Sequence, residues 1–96
     1  MTVAERVQAH REEILAIAAR RGATNLRMFG SVARGEDTDK SDLDLLIALE
    51  RGRRGWNYIA LIRELEELLG CKVDVVLENG IDKYIRAQVL AEAVPL

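Results

Sequence analysis

The stretch FGSVARGEDTDKSDLDLL, residues 29 to 46, decides how this 96-residue chain folds. It begins as the end of a strand, turns sharply at Gly30-Ser31, crosses a polar segment and enters a second strand at Asp42. Side chains alternate between the two faces of a strand, so Asp42 and Asp44 share one face of an otherwise apolar segment. Burying an unpaired carboxylate is costly, and such a pair at the rim of a sheet therefore indicates an active site.

Helical and strand periodicities alternate along the rest of the chain. The predicted elements are a helix over residues 3–21, a strand over 25–29, one helical turn over 32–34, the central strand over 42–49, a helix over 56–69, a strand over 72–78 and a helix from 81 or 82 to 93. This order predicts a single α/β (α+β) domain over residues 1–96, with a small mixed sheet flanked by helices. The central strand is apolar on both faces in its second half, which predicts that it is covered on both sides.

The composition narrows the class of protein. The chain is 49% apolar and 31% charged, as in folded globular domains, and its net charge of -2 argues against broad electrostatic binding to nucleic acid. The single cysteine, Cys71, allows no internal disulfide and fits a reducing compartment. No apolar run reaches membrane-spanning length, and the amino terminus lacks the apolar core of a secretion signal. We therefore expect a cytoplasmic protein, with His10 as a packed or surface residue and Cys71 as a small buried or half-buried residue.

The Gly30-Ser31 turn suits phosphate binding. Glycine lets the backbone approach a ligand closely, while the start of the following helical turn offers free N–H donors and the serine offers a hydroxyl. A Gly-Ser turn is common, however, and by itself indicates only a turn and a helix cap.

Three carboxylates provide the second part of the pattern. Asp42 and Asp44 project from one face, and Asp74 interrupts an otherwise apolar strand. If the two strands are neighbours, Asp74 can lie beside the other two, and such a cluster raises at least one pKa unless a metal offsets the repulsion. Two magnesium ions held by carboxylates can stabilise the attacking and leaving oxygens of phosphoryl or nucleotidyl transfer.

Together these motifs resemble the DNA polymerase β-type nucleotidyltransferase superfamily. Gly30-Ser31 is followed by ten residues, then Asp42-x-Asp44, a helix and a strand bearing Asp74. The fuller strings GSVARGE and SDLDLL are similar to those of its smallest members, the minimal nucleotidyltransferases (MNT proteins). The resemblance is close over residues 25 to 78.

The resemblance implies a role for each matching residue. Gly30 and Ser31 would hold the β- and γ-phosphates of ATP, and Asp42 and Asp44 would bind two Mg²⁺ ions. Asp74 would be a further metal ligand and the candidate base. Arg34 would contact phosphate or brace the loop, with a salt bridge to Glu36 or Asp37 as the equal alternative.

The resemblance also implies a biological role. MNT proteins of this length resemble antitoxins that transfer AMP from ATP to a tyrosine of a HEPN-domain ribonuclease toxin. Two alternatives stay open: a non-catalytic antitoxin that acts by occlusion, and transfer to a small molecule with a partner supplying the binding domain. The basic loop Arg51–Gly55 is either a solvated connection or a contact for substrate or partner.

Overall fold

The computed structural model describes residues 1–49 and 58–96. Within these ranges the helices are α1 (Val3–Ala9), α2 (Arg11–Arg20), α3 (Tyr58–Leu69), α4 (Lys83–Glu92) and a short 3-10 helix (Glu78–Gly80). The strands are β1 (Ala23–Phe29), β2 (Leu43–Leu49), β3 (Val73–Leu77) and β4 (Val94–Pro95). This architecture confirms the predicted α/β fold.

The strands form one mixed sheet in the order β3-β2-β1-β4. β2 and β3 are parallel, whereas β1 is antiparallel to both β2 and β4. The helix α3 connects the parallel pair, and α4 leads back across the sheet from β3 to β4. β3 and β4 are also parallel to each other, so both helices connect parallel strands. The connection from β2 to β3 and the connection from β3 to β4 move in opposite directions along the sheet. Because such connections are right-handed, α3 and α4 lie on opposite faces of the sheet.

The main core lies between the sheet and the helices α1, α2 and α3. From β2 it receives Leu43, Leu45 and Ile47, all fully buried. Leu46 is also fully buried but lies outside this cluster, as expected for a side chain on the opposite face. The prediction that β2 is covered on both sides is therefore confirmed.

The helix predicted over residues 3–21 is wrong in one respect, because two helices occupy this stretch. α1 ends and α2 begins at His10, whose N–H donates to the Arg6 carbonyl at 3.1 Å. Both helices supply buried residues, so the bend at His10 brings the two apolar stripes onto one core. His10 itself lies beside Glu13, with 3.0 Å between Nδ1 and Oε1, in keeping with its predicted packing or surface role.

Other differences are at element ends. Val94–Pro95 forms β4, just after the end of the last predicted element at residue 93. A proline is tolerated in this edge strand because it has no N–H that the sheet would need as a donor. The strand predicted over residues 72–78 ends at Leu77, and Glu78–Gly80 form the 3-10 helix. The loop Arg51–Gly55 and the predicted helix start at Trp56 lie outside the described residues. None of the described helices is long and apolar enough to cross a membrane.

Candidate active site

The turn after β1 is a short backbone cradle. The Arg34 N–H donates to the Gly30 carbonyl at 3.1 Å, and the Gly35 N–H donates to the Val32 carbonyl at 3.2 Å. Val32 is buried in the main core and anchors the turn. Within the described ranges, the N–H groups of Ser31, Val32 and Ala33 donate to no protein acceptor. This arrangement matches the first turn of a helix, where free amides can bind an anion.

Gly30 lies directly against a carboxylate. Its φ is +74°, in the region that favours glycine, and a Cβ placed on it would collide with Oδ2 of Asp44 and lie 3.3 Å from Cγ. Glycine at this position therefore serves two purposes: it allows the turn, and it leaves room for the Asp44 side chain beside the cradle.

The strand register brings the predicted carboxylates to one face of the sheet. Asp44 pairs with Phe29 of β1 on one side and with Asp74 of β3 on the other. Residues paired in register point to the same face, and Asp42, two residues before Asp44, shares it by alternation. Asp42 and Asp74 are exposed, while Asp44 is half-buried. The expectation that Asp74 lies on the face of Asp42 and Asp44 is confirmed.

The charges at this edge favour a cation. Burial raises the pKa of Asp44, and the neighbouring charges of Asp74 and Asp42 raise it further, while Arg34 opposes the effect. Among the described residues, no three acidic, histidine or cysteine side chains converge closely enough to enclose an ion as they stand. The donor chemistry nevertheless fits magnesium, because three carboxylates share one rim beside free amides and their mutual repulsion would be offset by a bound dication.

Arg34 forms ion pairs at the mouth of the cradle. Its Nε donates to Glu36 Oε2 at 3.1 Å, and its Nη1 lies 3.5 Å from Oε2 of Glu92 at the end of α4. Of the two predicted salt bridges, the one to Glu36 is present, whereas Asp37 accepts instead from the Ala4 N–H at 2.9 Å. The link to Glu92 was not predicted, since nothing in the local pattern brings α4 to this turn.

One contribution to the site was missed entirely from the sequence. The loop between the cradle and Asp42 is fastened to α1, whose residue Arg6 donates to the Asp39 carbonyl at 3.3 Å. A surface arginine on a predicted amphipathic helix gives no signal of such a contact. Cys71 is half-buried, as predicted, and burial raises the pKa of its thiol.

A mixed sheet that places three carboxylates beside a Gly-Ser turn with free amides is the arrangement expected of a nucleotidyltransferase. The chain belongs to the nucleotidyltransferase domain family, whose family model matches residues 11–96. The resemblance stated from the motifs is thus confirmed, and the chain is an enzyme of this class.

The chain is similar to individual curated proteins and solved structures. The chain is 36% identical over 86 residues to the protein adenylyltransferase MntA of Thermococcus cleftensis. The aligned region covers 90% of this chain and 84% of the relative. A solved structure described as a candidate minimal nucleotidyltransferase is 50% identical to the chain, with a TM-score of 0.84. The match covers 100% of this chain and 97% of the chain in that structure. A toxin–antitoxin structure with AMP-PNP shares the fold at 19% identity, with a TM-score of 0.72, covering 88% of this chain and 69% of that one.

Proposed function

We propose that this chain is a magnesium-dependent protein adenylyltransferase that transfers AMP from ATP to a tyrosine of a HEPN-domain ribonuclease toxin and so acts as its antitoxin. The observation that carries this proposal is the shared face of Asp42, Asp44 and Asp74 beside the unpartnered amides after Gly30. The 36% identity to a protein named as an adenylyltransferase supports a protein acceptor. The toxin–antitoxin structure with AMP-PNP, which shares only the fold, agrees with nucleotide binding beside a toxin partner.

Each residue has a distinct task in the proposed reaction. The amides of Ser31 and Val32, with the Ser31 hydroxyl, hold the outer phosphates of ATP, and Arg34 adds a positive charge at the cradle mouth. Asp42, Asp44 and Asp74 hold two Mg²⁺ ions, which supply charge neutralisation for the reacting phosphate. Asp74 accepts the proton of the attacking hydroxyl.

The transfer is a substitution at phosphorus. The acceptor oxygen forms a bond to the α-phosphorus of ATP, and the bond from that phosphorus to the bridging oxygen breaks. Pyrophosphate leaves with that electron pair, while the hydroxyl proton passes to Asp74. AMP stays on the acceptor side chain.

A protein acceptor is consistent with the surface of α4. None of its residues is buried, and it exposes Tyr84 and Ile85 to 83% and 52%. Apolar groups exposed together on one helix favour a docked protein. We place the activity in one domain over residues 1–96 and in the cytoplasm, where a toxin ribonuclease would have to be silenced.

The test measures the intact mass of the partner. With ATP and Mg²⁺, the wild-type chain should add mass to a purified HEPN-domain partner in steps of one AMP and suppress its ribonuclease activity. The double variant Asp42→Asn with Asp44→Asn should lower the transfer rate by several orders of magnitude, because it removes the metal ligands. Glu12→Gln with Glu67→Gln, which removes two surface charges elsewhere, is the matched control.

Two results would contradict the proposal. If the aspartate double variant still neutralises the partner fully without any gain in mass, the chain acts by occlusion and is not an adenylyltransferase in this pair. If the surface control loses activity to the same extent, overall charge and not the carboxylate cluster governs the reaction. A circular dichroism melt of each variant checks that the fold stands.

A further inference from the structure

Helix α1 lies before residues 11–96, the part of the chain that matches the nucleotidyltransferase family model, yet it contacts the loop that leads to Asp42. The Ala4 N–H donates to Oδ2 of Asp37 at 2.9 Å, and the Val3 N–H donates to the Thr38 carbonyl at 3.4 Å. Amides in the first turn of a helix have no acceptor within the helix. Here the loop that leads to Asp42 provides the acceptors.

Arg6 extends this connection from the next turn of α1. Its Nη1 donates to the carbonyl of Leu69 at 3.4 Å, and its Nη2 donates to the carbonyl of Asp39 at 3.3 Å. Leu69 is the last residue of α3, where helical carbonyls lack partners, and Asp39 lies three residues before Asp42. One guanidinium therefore joins α1, the end of α3 and the loop.

The loop passes this constraint on to Asp42. Inside it, the Thr38 N–H donates to Ser41 Oγ at 2.8 Å, and the Lys40 N–H donates to Thr38 Oγ1 at 3.1 Å. Beyond it, the Leu43 N–H donates to the Lys72 carbonyl at 2.9 Å. Asp42 thus lies between a fixed loop and a fixed strand, although its own side chain is exposed.

We propose that Arg6 is a positioning residue for the metal site. It holds the loop from Asp37 to Ser41 so that Asp42 projects from the same face of the sheet as Asp44. This inference rests on the proposed function, because it takes Asp42 as a metal ligand. The fork of the guanidinium reaches two carbonyls at once, which a lysine ammonium on a flexible stem does not reproduce. Both Arg6→Gln and Arg6→Lys should therefore release the loop.

The experiment measures metal binding and not only turnover. Mn²⁺ is titrated by electron paramagnetic resonance in the presence of a non-hydrolysable ATP analogue, and amide hydrogen exchange is followed over residues 37–43. Both Arg6 variants should weaken Mn²⁺ binding by about tenfold, the size expected when a residue that supports a ligand is removed. They should also speed exchange in the loop. Arg11→Gln, at an exposed position on α2, is the control and should change neither quantity.

The outcomes separate the positioning role from the proposed function. If Asp42→Asn weakens Mn²⁺ binding while both Arg6 variants bind within twofold of wild type, the positioning role is overturned and the metal site stands. If Asp42→Asn leaves Mn²⁺ binding unchanged, the metal site fails, and the positioning role fails with it. If an Arg6 variant lowers the melting temperature without changing Mn²⁺ affinity or loop exchange, Arg6 serves stability alone.

Discussion

Replacing Gly30 by alanine should have two effects, strain in the left-handed backbone and a collision with Asp44, and comparison with Gly35 separates them. The backbone there has a φ of +74°, and a Cβ would collide with Oδ2 of Asp44. Gly35 offers a matched comparison, because its φ is +73° and a Cβ on it would meet no atom within 4 Å. Gly30→Ala and Gly35→Ala therefore share the backbone strain and differ in the collision.

The magnitude follows from the left-handed backbone. A non-glycine residue in this region costs about 1–2 kcal/mol. In a domain of 60–100 residues, a loss of 1 kcal/mol lowers the melting temperature by roughly 4–8 °C. Both variants should thus melt roughly 5–15 °C below wild type, and Gly30→Ala should melt lowest because Asp44 must also move.

Function should separate the two variants more clearly than stability does. Gly30→Ala displaces a carboxylate of the proposed metal site, so Mn²⁺ affinity in the presence of a non-hydrolysable ATP analogue and the rate of AMP transfer should both fall. Gly35→Ala, measured well below its melting temperature, should keep both. Adding Asp44→Ala removes the colliding carboxylate, so Gly30→Ala should cost less stability in that background than in wild type.

Equal losses would refute this reasoning. If Gly30→Ala and Gly35→Ala lower Mn²⁺ affinity to the same extent, the cradle as a whole is sensitive and the contact with Asp44 has no special weight. If Gly30→Ala binds Mn²⁺ and transfers AMP at wild-type rates, Asp44 is not held against the turn as described.

Further predictions concern charge and packing. Burial and the neighbouring carboxylates raise the pKa of Asp44 in the folded protein above its ordinary value of 3.8. The metal-free protein should therefore lose stability as the pH rises from 3.8 through the folded pKa of Asp44. Asp44→Asn should melt higher than wild type at pH 7 and equally at pH 3, and added Mg²⁺ should stabilise only wild type. Leu65→Ala should cost about 2–5 kcal/mol in urea unfolding, since this side chain is fully buried, whereas Leu68→Ala at a partly buried position should cost less. Arg34→Gln should change the melting temperature by no more than about 2 °C, as expected for an exposed ion pair, but raise the KM for ATP; a fall in melting temperature with an unchanged KM would instead assign Arg34 to bracing the loop.

Local patterns were sufficient to predict the parts of the site that one segment carries. The alternation from Asp42 to Leu49 assigned Asp44 to the face opposite the main core, because the strand period is set by the backbone alone. The glycine at position 30 indicated a close approach because glycine has no Cβ. The bend at His10 was not predictable in this way, since the apolar stripe continues through it and no glycine or proline marks it.

The tertiary structure alone decided what lies next to these segments. The pairing of Asp44 with Asp74 depends on strand order and register, which join residues thirty positions apart. The contact of Arg34 with Glu92 depends on the crossover of α4, and that of Arg6 with Asp39 depends on how α1 packs. The packing of whole helices and strands holds each of these pairs together. The free energy that fixes their positions comes from many core contacts, so the local sequence around each residue does not predict its partner.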